Sequence, residues 1–238
     1  MASRRAADEL ISSGAVLVNG ERPPPSGLLV DPSRDQVTVD GHVVKPVTRH
    51  RYLVLNKPLG AITTARDESG RTTVLDVVGE EGQAGHRLFP VGRLDADTSG
   101  LLLLTDDGEL AFRLTHPRYK VAKEYIAVVI GNPSAADLEA LRTGVKLEEG
   151  ITAPAEVEPL AVTPGSRDSA LAELRIVIRE GRHHQVRRMV HAIGHRVQSL
   201  RRTGFGPLKL GRLKTGGWRL LGEAEVAALR RAVGIATK

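Results

Sequence analysis

The stretch Gly92-Arg93-Leu94-Asp95-Ala96-Asp97-Thr98-Ser99-Gly100 is the most informative segment of this sequence. An apolar, strand-like run ends just before it at Val91, and another begins just after it at Leu101. The polar residues from Asp97 to Gly100 predict a turn between the two strands. We therefore expect Asp95 to lie in a loop held between two core strands, where rigid scaffolds often present a reactive group.

Composition limits the chemistry that is open to this loop. The 238 residues include no cysteine, so disulfides, thiolate nucleophiles and cysteine-ligated zinc sites are excluded. Any catalysis would rest on oxygen or nitrogen groups. The Asp95 carboxylate is able to act as a covalent nucleophile without a cofactor. Its alternative role is to cap a turn together with Asp97, and the local pattern alone favours that role.

From Tyr52 onward, apolar patterns predict strands and helices that do not alternate strictly. The predicted strands are Tyr52 to Asn56, Leu101 to Thr105, Glu124 to Ile130, Glu156 to Ala161, Leu171 to Ile178, Val197 to Arg201 and Trp218 to Leu221. The predicted helices are Thr73 to Val78, Glu109 to Thr115, Ala135 to Thr143, Gln185 to Ile193 and Glu223 to Ala232. This order indicates an α+β domain at residues 52–238, with a mainly antiparallel sheet flanked by helices.

A small α/β module is predicted at residues 1–42, followed by a linker at residues 43–51. It begins with a helix from Arg4 to Ile11. Short strands then follow at Ala15 to Val18, Leu28 to Val30 and Val37 to Val39.

Positive charge is concentrated in one region. The chain carries a net charge of +6, and residues 181–222 contain ten Lys or Arg and no Asp or Glu. Such a segment favours a polyanion as partner, because each neutralised phosphate releases counterions. No apolar run approaches the roughly 18 residues of a membrane span, and no signal-peptide pattern follows the N-terminus. We therefore expect a soluble, cytoplasmic protein without a membrane partner.

The segment around Asp95 resembles the signature loop of pseudouridine synthases, in the rRNA-modifying branch named after the RsuA and RluB enzymes. Three further stretches match this branch in order and spacing: Asn56–Gly60, Lys123–Tyr125 and Glu180–Met189. The chain is identified as a member of this family over essentially its whole length. The string Asp107–Pro117 is more similar to the RluB-like large-subunit enzymes than to the small-subunit enzyme.

The resemblance implies an isomerase that needs no cofactor. Such an enzyme flips a specific uridine out of ribosomal RNA, most simply 23S rRNA or a large-subunit assembly intermediate. An aspartate takes part in breaking the glycosidic bond, and the base is reattached through carbon 5. The order of attack and proton abstraction stays open. We expect a monomer.

The resemblance also assigns the residues of the catalytic centre. Asp95 would be the nucleophile or base, and Arg187 would supply the guanidinium that keeps it ionised. Tyr125 would stack on the target base and move a proton, while Leu200 would close the other face of the base. Arg93 is similar to the arginine that fills the gap left by the flipped nucleotide.

Five further basic residues are expected to contact RNA. They are Lys57, Arg182, Arg188, Arg4 and Arg5. For Arg182 a second role, holding a neighbouring loop, is equally open.

The first module resembles the alpha-L RNA-binding domain that is shared with a ribosomal small-subunit protein. The similarity begins in the middle of that domain, because relatives carry another helix before this point. We therefore expect the true start of the chain to lie upstream of Met1.

Two other functions compete within the class of RNA-binding proteins. One is a 16S rRNA pseudouridine synthase. The other is a non-catalytic ribosome-assembly protein, which would lack Asp95, Tyr125 or Arg187; all three are present.

Metal-dependent chemistry is the remaining alternative. A nuclease would use a cluster of carboxylates, here Asp95, Asp97, Asp106 and Asp107. The neighbouring arginines and the lack of a matching histidine cluster argue against a nuclease. A separate metal site would use His191 and His195 at helical spacing, joined by His183 or His184. No carboxylate lies between the spaced histidines as it does in a metalloprotease helix, so we expect RNA contact or surface placement and no metal.

Overall fold

The computed structural model describes residues 4–45, 47, 49–163 and 170–236. The chain divides into two compact units, with the boundary between His50 and Arg51. Among the described residues, no helix has the length and apolar character needed to cross a membrane.

The first unit contains one helix and a three-stranded antiparallel sheet in the order β1-β2-β3. Its elements are α1 (Arg4–Ser13), β1 (Val16–Val18), β2 (Val37–Val39) and β3 (His42–Val44). The predicted helix and two of the three predicted strands are present. The side chains of Arg4 and Arg5 lie outside what the structure describes.

Two sequence predictions for this unit differ from the structure. The strand predicted at Leu28–Val30 is wrong, because this stretch is unpaired in the described sheets and Leu29 is 97% exposed. The segment predicted as a linker from residue 43 instead begins within β3. Asp40 and Gly41 both have positive φ, 48° and 78°, and this two-residue turn pairs β2 with β3 as a hairpin.

The second unit holds the remaining elements. Its helices are α2 (Val74–Gln83), α3 (Gly108–Thr115), α4 (Ala135–Thr143), α5 (Gln185–Ala192) and α6 (Glu223–Ala232), with a short 3₁₀ turn at Pro117–Tyr119. Its strands are β4 (Tyr52–Lys57), β5 (Phe89–Pro90), β6 (Thr98–Thr105), β7 (Lys123–Ile130), β8 (Lys146–Leu147), β9 (Gly150–Ile151), β10 (Glu156–Thr163), β11 (Leu171–Ile178), β12 (Arg196–Phe205), β13 (Leu208–Lys209) and β14 (Trp218–Leu220). Each predicted helix and strand of this domain is present, with shifts at several ends.

One large mixed sheet organises the second unit. Seven of its strands follow the order β10-β11-β7-β12-β6-β4-β14, β5 and β13 pair at its side, and β8 and β9 form a separate hairpin. The pairs are antiparallel except β12 with β6, which is parallel. Fully buried residues of β4 and β6, such as Leu53 and Leu102, join the helices in the core. The α+β fold with a mainly antiparallel sheet is therefore confirmed.

The parallel pair positions the loop before β6. Gly100 lies opposite Arg202, and a Cβ built at Gly100 would meet the Arg202 carbonyl oxygen at 2.2 Å. The strands approach this closely only because residue 100 has no side chain. The predicted turn at Asp97–Gly100 is thus wrong from Thr98 onward, since these residues already pair with β12.

Candidate active site

A pocket of about 380 Å³ opens beside the loop between β5 and β6. It brings together five residues that the sequence analysis assigns to the site. They are Arg93, Asp95, Tyr125, Arg182 and Leu200. Residues of β7, β12 and the segment before α5 complete its wall. The large sheet and one loop therefore build a single concave site.

The loop that carries Asp95 is held by the end of β4. Lys57 is fully buried, and its Nζ donates to the carbonyl oxygens of Pro58 (3.2 Å), Asp95 (3.0 Å) and Thr98 (2.9 Å). Burial lowers the pKa of Lys57 to about 8, although Asp95 and Asp97 act in the opposite direction. The predicted RNA contact of Lys57 is wrong, because its ammonium group faces the loop backbone and is shielded from solvent.

A second clamp on the loop comes from Thr63. Its hydroxyl donates to the Leu94 carbonyl oxygen at 2.6 Å and accepts from the Leu94 amide at 3.2 Å. The amide of Gly60 donates to the Ala96 carbonyl at 2.8 Å. These bonds fix the backbone on both sides of Asp95, so its carboxylate is presented from a rigid loop.

The Asp95 carboxylate is partly exposed and has a histidine side chain as its neighbour. Its Oδ1 lies 3.3 Å from Nε2 of His184, and the Asp95 side chain is 28% exposed. His184 has left-handed backbone angles, φ 48° and ψ 32°, at the start of α5. The rings of His183 and His184 stack with centroids 3.8 Å apart. A left-handed non-glycine residue of this kind often marks a functional constraint.

Arg187 has a different partner from the one predicted. Its Nη2 lies 3.0 Å from the Asp97 carboxylate and donates to the Asp97 carbonyl oxygen at 2.9 Å. The guanidinium therefore holds the loop two residues beyond Asp95. The predicted Arg187–Asp95 pair is replaced by the His184–Asp95 contact, because His184 precedes α5 and points back to the loop.

Tyr125 and Leu200 share one face of the sheet. Tyr125 on β7 is opposite Arg202, and Leu200 on β12 is opposite Ala127. Side chains of opposed residues, and of residues two positions apart, lie on the same face. Both side chains are buried, at 7% and 5% exposure, and both line the pocket. An aromatic and an aliphatic surface thus lie side by side in the wall.

Comparisons with known proteins agree with this geometry. Residues 51–192 match the family described as RNA pseudouridylate synthase. The chain belongs to this family. It is 45% identical over 233 residues to a Bacillus subtilis protein named ribosomal large subunit pseudouridine synthase B, covering 97% of this chain and 91% of the relative. An Aquifex aeolicus protein named as an uncharacterized RNA pseudouridine synthase is 43% identical over 236 residues, covering 99% and 91%.

A solved structure extends the comparison to the whole fold. A crystal structure of a pseudouridylate synthase is similar with a TM-score of 0.68 and 31% identity, over 95% of this chain and 94% of that chain. The family membership and the isomerase class of this synthase follow from these matches.

Two residues that were predicted to contact RNA bond instead to other groups of the same chain. Arg182 donates to the carbonyl oxygens of Gly150 (2.7 Å) and Ile151 (2.6 Å), so the structure favours the loop-holding role. Arg188 is paired with both carboxylate oxygens of Glu149, with Nη1 at 2.7 Å from Oε1. Arg188 holds the pKa of Glu149 down at about 2. Arg93, in contrast, is exposed at the pocket rim.

The carboxylates that a nuclease would need do not gather in the synthase. Asp106 and Asp107 follow β6 at the end far from Asp95. Asp106 accepts from the Arg51 amide at 2.8 Å, and Asp107 caps α3 and pairs with Arg230 at 3.0 Å. Both are structural residues, which removes the basis for the four-aspartate metal site.

The structure brings together one group that could hold a metal ion and that the sequence analysis did not combine. Among the described residues, Asp95, His183 and His184 are the one group of three whose potential ligand atoms lie within 4.8 Å of each other. A carboxylate with two imidazoles suits zinc and similar ions. His195 instead contacts the Ile130 carbonyl at 3.1 Å and Asp137 at 3.7 Å. The expectation of a metal-free reaction stays a prediction.

Proposed function

We propose that this synthase converts a specific uridine of 23S rRNA to pseudouridine, with Asp95 as its catalytic residue. The observation that carries the proposal is the position of Asp95. It lies on a clamped loop at a pocket whose wall also contains Tyr125 and Leu200. A nucleotide turned out of an RNA helix would find an aromatic surface, an aliphatic surface and a carboxylate in one cavity.

The reaction needs no oxidant, reductant or added atoms. The bond between ribose C1′ and base N1 breaks with its electron pair going to N1, the ring turns, C5 bonds to C1′, and the proton on C5 leaves while N1 takes up a proton. Asp95 either forms a bond to C1′ that breaks when C5 bonds there, or takes a neighbouring ribose proton and returns it at that step; both routes are compatible with the pocket. Tyr125 stacks on the ring and assists proton movement. Exposed Arg93 fills the gap in the RNA and offsets part of the unstacking cost.

The large-subunit substrate is supported by the relative from Bacillus subtilis, whose name specifies that subunit. The basic region at residues 181–222 supports binding to RNA, although several of its charges are engaged inside the protein. We further propose that the enzyme acts as a cytoplasmic monomer on 23S rRNA or a large-subunit precursor. A 16S target is the alternative, and it is distinguished by mapping.

The test uses the Asp95→Asn variant as the only copy of the synthase in a cell that lacks its own. Pseudouridines in 16S and 23S rRNA are mapped by carbodiimide treatment and primer extension. We expect one primer-extension stop in 23S rRNA to be present with the wild-type protein and to disappear with the variant. The purified variant should still bind RNA. Asp97→Asn is the matched control, since it changes the neighbouring carboxylate but keeps the bond from Arg187 to the carbonyl oxygen of residue 97, and it should retain the stop.

Each part of the proposal has its own contradicting result. A stop that persists with Asp95→Asn shows that Asp95 is not the catalytic residue. A protein-dependent stop in 16S rRNA instead of 23S rRNA overturns the large-subunit assignment and leaves the role of Asp95 intact. Cleavage of the RNA in the presence of magnesium would favour a nuclease.

A further inference from the structure

Arg202 is a buried cation on the pocket wall that the catalytic assignment does not use. It is 1% exposed, its Nε donates to the Leu101 carbonyl at 2.8 Å, and its guanidinium lies 5.1 Å from the Phe205 ring centroid. Its Nη2 is buried and has no hydrogen-bond partner among the described residues. An unsatisfied buried donor is costly, and a donor at a ligand pocket is satisfied when the ligand supplies an acceptor.

The sheet register places Arg202 beside the base-binding surface. Arg202 is directly opposite Tyr125 and two residues beyond Leu200 on the same strand. Lys123 lies two residues before Tyr125, on the same face, and also lines the pocket. Two cations therefore flank the aromatic and aliphatic surfaces that would hold the flipped ring. The backbone phosphates of the RNA would meet exposed residues at the rim, whereas the base reaches this buried wall.

We propose that Arg202, supported by Lys123, binds a carbonyl oxygen of the flipped uracil and stabilises the negative charge that the ring carries while it is detached from the ribose. This inference rests on the uridine isomerisation proposed above. It adds a charge-binding subsite to the pocket.

The chemistry explains why a fixed donor suits both halves of the reaction. When the N1–C1′ bond breaks, the bonding electron pair goes to N1 and is delocalised onto O2 and O4. A half-turn of the ring about the line through N3 and C6 exchanges N1 with C5 and O2 with O4. The guanidinium at the wall can therefore donate to O2 before the turn and to O4 after it. The bond from C5 to C1′ makes the ring neutral, and the proton on C5 then leaves while N1 takes up a proton, which gives neutral pseudouridine.

The charges on the pocket wall around Lys123 and Arg202 favour a negatively charged ligand. Lys123 donates two long bonds of 3.4 Å, to the carbonyl oxygens of Val121 and Glu180. Burial and the Arg202 charge lower the pKa of Lys123 to about 8, while the Glu180 carboxylate acts in the opposite direction. Arg202 is buried and Lys123 is partly buried beside it, which makes their charges costly even though Glu180 and Asp95 also line the pocket, and a delocalised anion bound beside the two cations would offset that cost.

The test compares Arg202→Met, Arg202→Lys and Lys123→Met with the wild type. Arg201→Met is the matched control, because Arg201 is exposed and lies on the opposite face of the same strand. The substrate is total bacterial RNA carrying tritium at C5 of uridine, from a strain without the enzyme. Tritium release under single-turnover conditions reports the chemical step, and filter binding reports the dissociation constant of the RNA.

We expect Arg202→Met to lower the single-turnover rate constant about 100-fold, with the dissociation constant changed less than about threefold. The rate constant of Arg202→Lys should be about tenfold higher than that of Arg202→Met, since lysine keeps a charged donor. The rate constant of Arg201→Met should stay within about twofold of the wild-type value.

A folded Arg202→Met protein with a wild-type rate overturns the proposal. A loss in RNA binding without a loss in rate overturns it too, and assigns Arg202 to a phosphate. If Arg202→Met does not fold, Lys123→Met decides: about a tenfold lower rate supports the subsite, and an unchanged rate contradicts it. Because tritium release does not depend on which RNA is modified, failure of the 23S assignment leaves this test intact.

Discussion

Nε2 of His184 lies 3.3 Å from Oδ1 of Asp95, while the Arg187 guanidinium pairs with Asp97. The side chain that contacts the proposed catalytic carboxylate is thus a histidine, and the arginine holds the loop beyond it. His184 is therefore the side chain that contacts the Asp95 carboxylate from the start of α5.

The first prediction concerns this contact. Asparagine tolerates the left-handed backbone of His184, so His184→Asn removes the imidazole with little strain. We expect the single-turnover rate constant to fall about tenfold, with RNA affinity unchanged, because the Asp95 carboxylate loses the side chain that contacts it at 3.3 Å. His183→Asn is the control, and tritium release is the measurement. Equal rates for His184→Asn and the wild type would contradict a role for the contact.

The second prediction concerns the dependence of stability on pH. The pKa of Lys57 is about 8 in the folded protein and 10.5 as its ordinary value, so the unfolded chain binds the extra proton between these pH values. The cost of burying the charge is complete below pH 8 and is relieved as pH rises toward 10.5. At about 1.4 kcal/mol for each pKa unit, the full effect is on the order of 3 kcal/mol.

Lys57→Met isolates this effect. Lys123 also has a pKa of about 8, and Tyr52 one of about 12, so each contributes to the pH dependence of the whole protein. Both are retained in the variant, and their effects cancel in the difference. Urea unfolding at pH 7.5, 8.5 and 9.5 should show the wild type gaining about 1–2 kcal/mol relative to Lys57→Met. A difference that is independent of pH would mean that Lys57 is not a desolvated charge.

Much of the fold was predictable because its elements have strong local patterns. The helices at Ala135–Thr143 and Glu223–Ala232 match their predicted bounds, since the capping residues Ser134 and Gly222 directly precede them and apolar spacing lies within them. The strand expected at Leu28–Val30 fails because strand formation needs a partner, which no local pattern specifies. The Asp40-Gly41 turn was a readable hairpin signal that the linker prediction overlooked.

Residues of the site were predictable only where they lie in a motif that resembles the family. Asp95, Tyr125 and Leu200 lie in distant segments, and their placement in one pocket follows from the resemblance and the sheet pairing. Arg202 is one of ten basic residues between positions 181 and 222, and nothing in its neighbours distinguishes it. Its burial depends on pairing with both β6 and β7. Lys57 was misassigned for the same reason, because a lysine in a motif does not reveal which way it faces.

The third prediction concerns the pairing of Arg188 with Glu149. The Glu149 carboxylate is ionised at neutral pH and engages both terminal nitrogens of Arg188, which limits any phosphate contact. Glu149→Gln should release the guanidinium and tighten RNA binding about threefold, with the slope of log affinity against log salt steeper by about one. Glu148→Gln removes the same charge from an exposed neighbour and should leave the slope unchanged. An unchanged slope for Glu149→Gln would remove Arg188 from the RNA-binding residues.

The last prediction concerns the contact between Gly100 and the backbone of Arg202. A Cβ at Gly100 would lie 2.2 Å from the Arg202 carbonyl oxygen, and φ at Gly100 is +106°. Gly100→Ala should therefore separate β6 from β12 and lower the free energy of unfolding by about 3 kcal/mol or more. Gly108→Ala is the matched control, because Gly108 begins α3 with nothing within 4 Å of its Cβ position. Alanine there should raise stability by about 0.5 kcal/mol.

Thermal melting of both glycine variants measures this contrast, and tritium release measures its effect on the site. Because the same strand pair positions the loop of Asp95 and the side chain of Arg202, Gly100→Ala should lose activity even at temperatures where it remains folded. If Gly100→Ala and Gly108→Ala have the same melting temperature, the close approach of β6 and β12 does not stabilise the structure around the pocket.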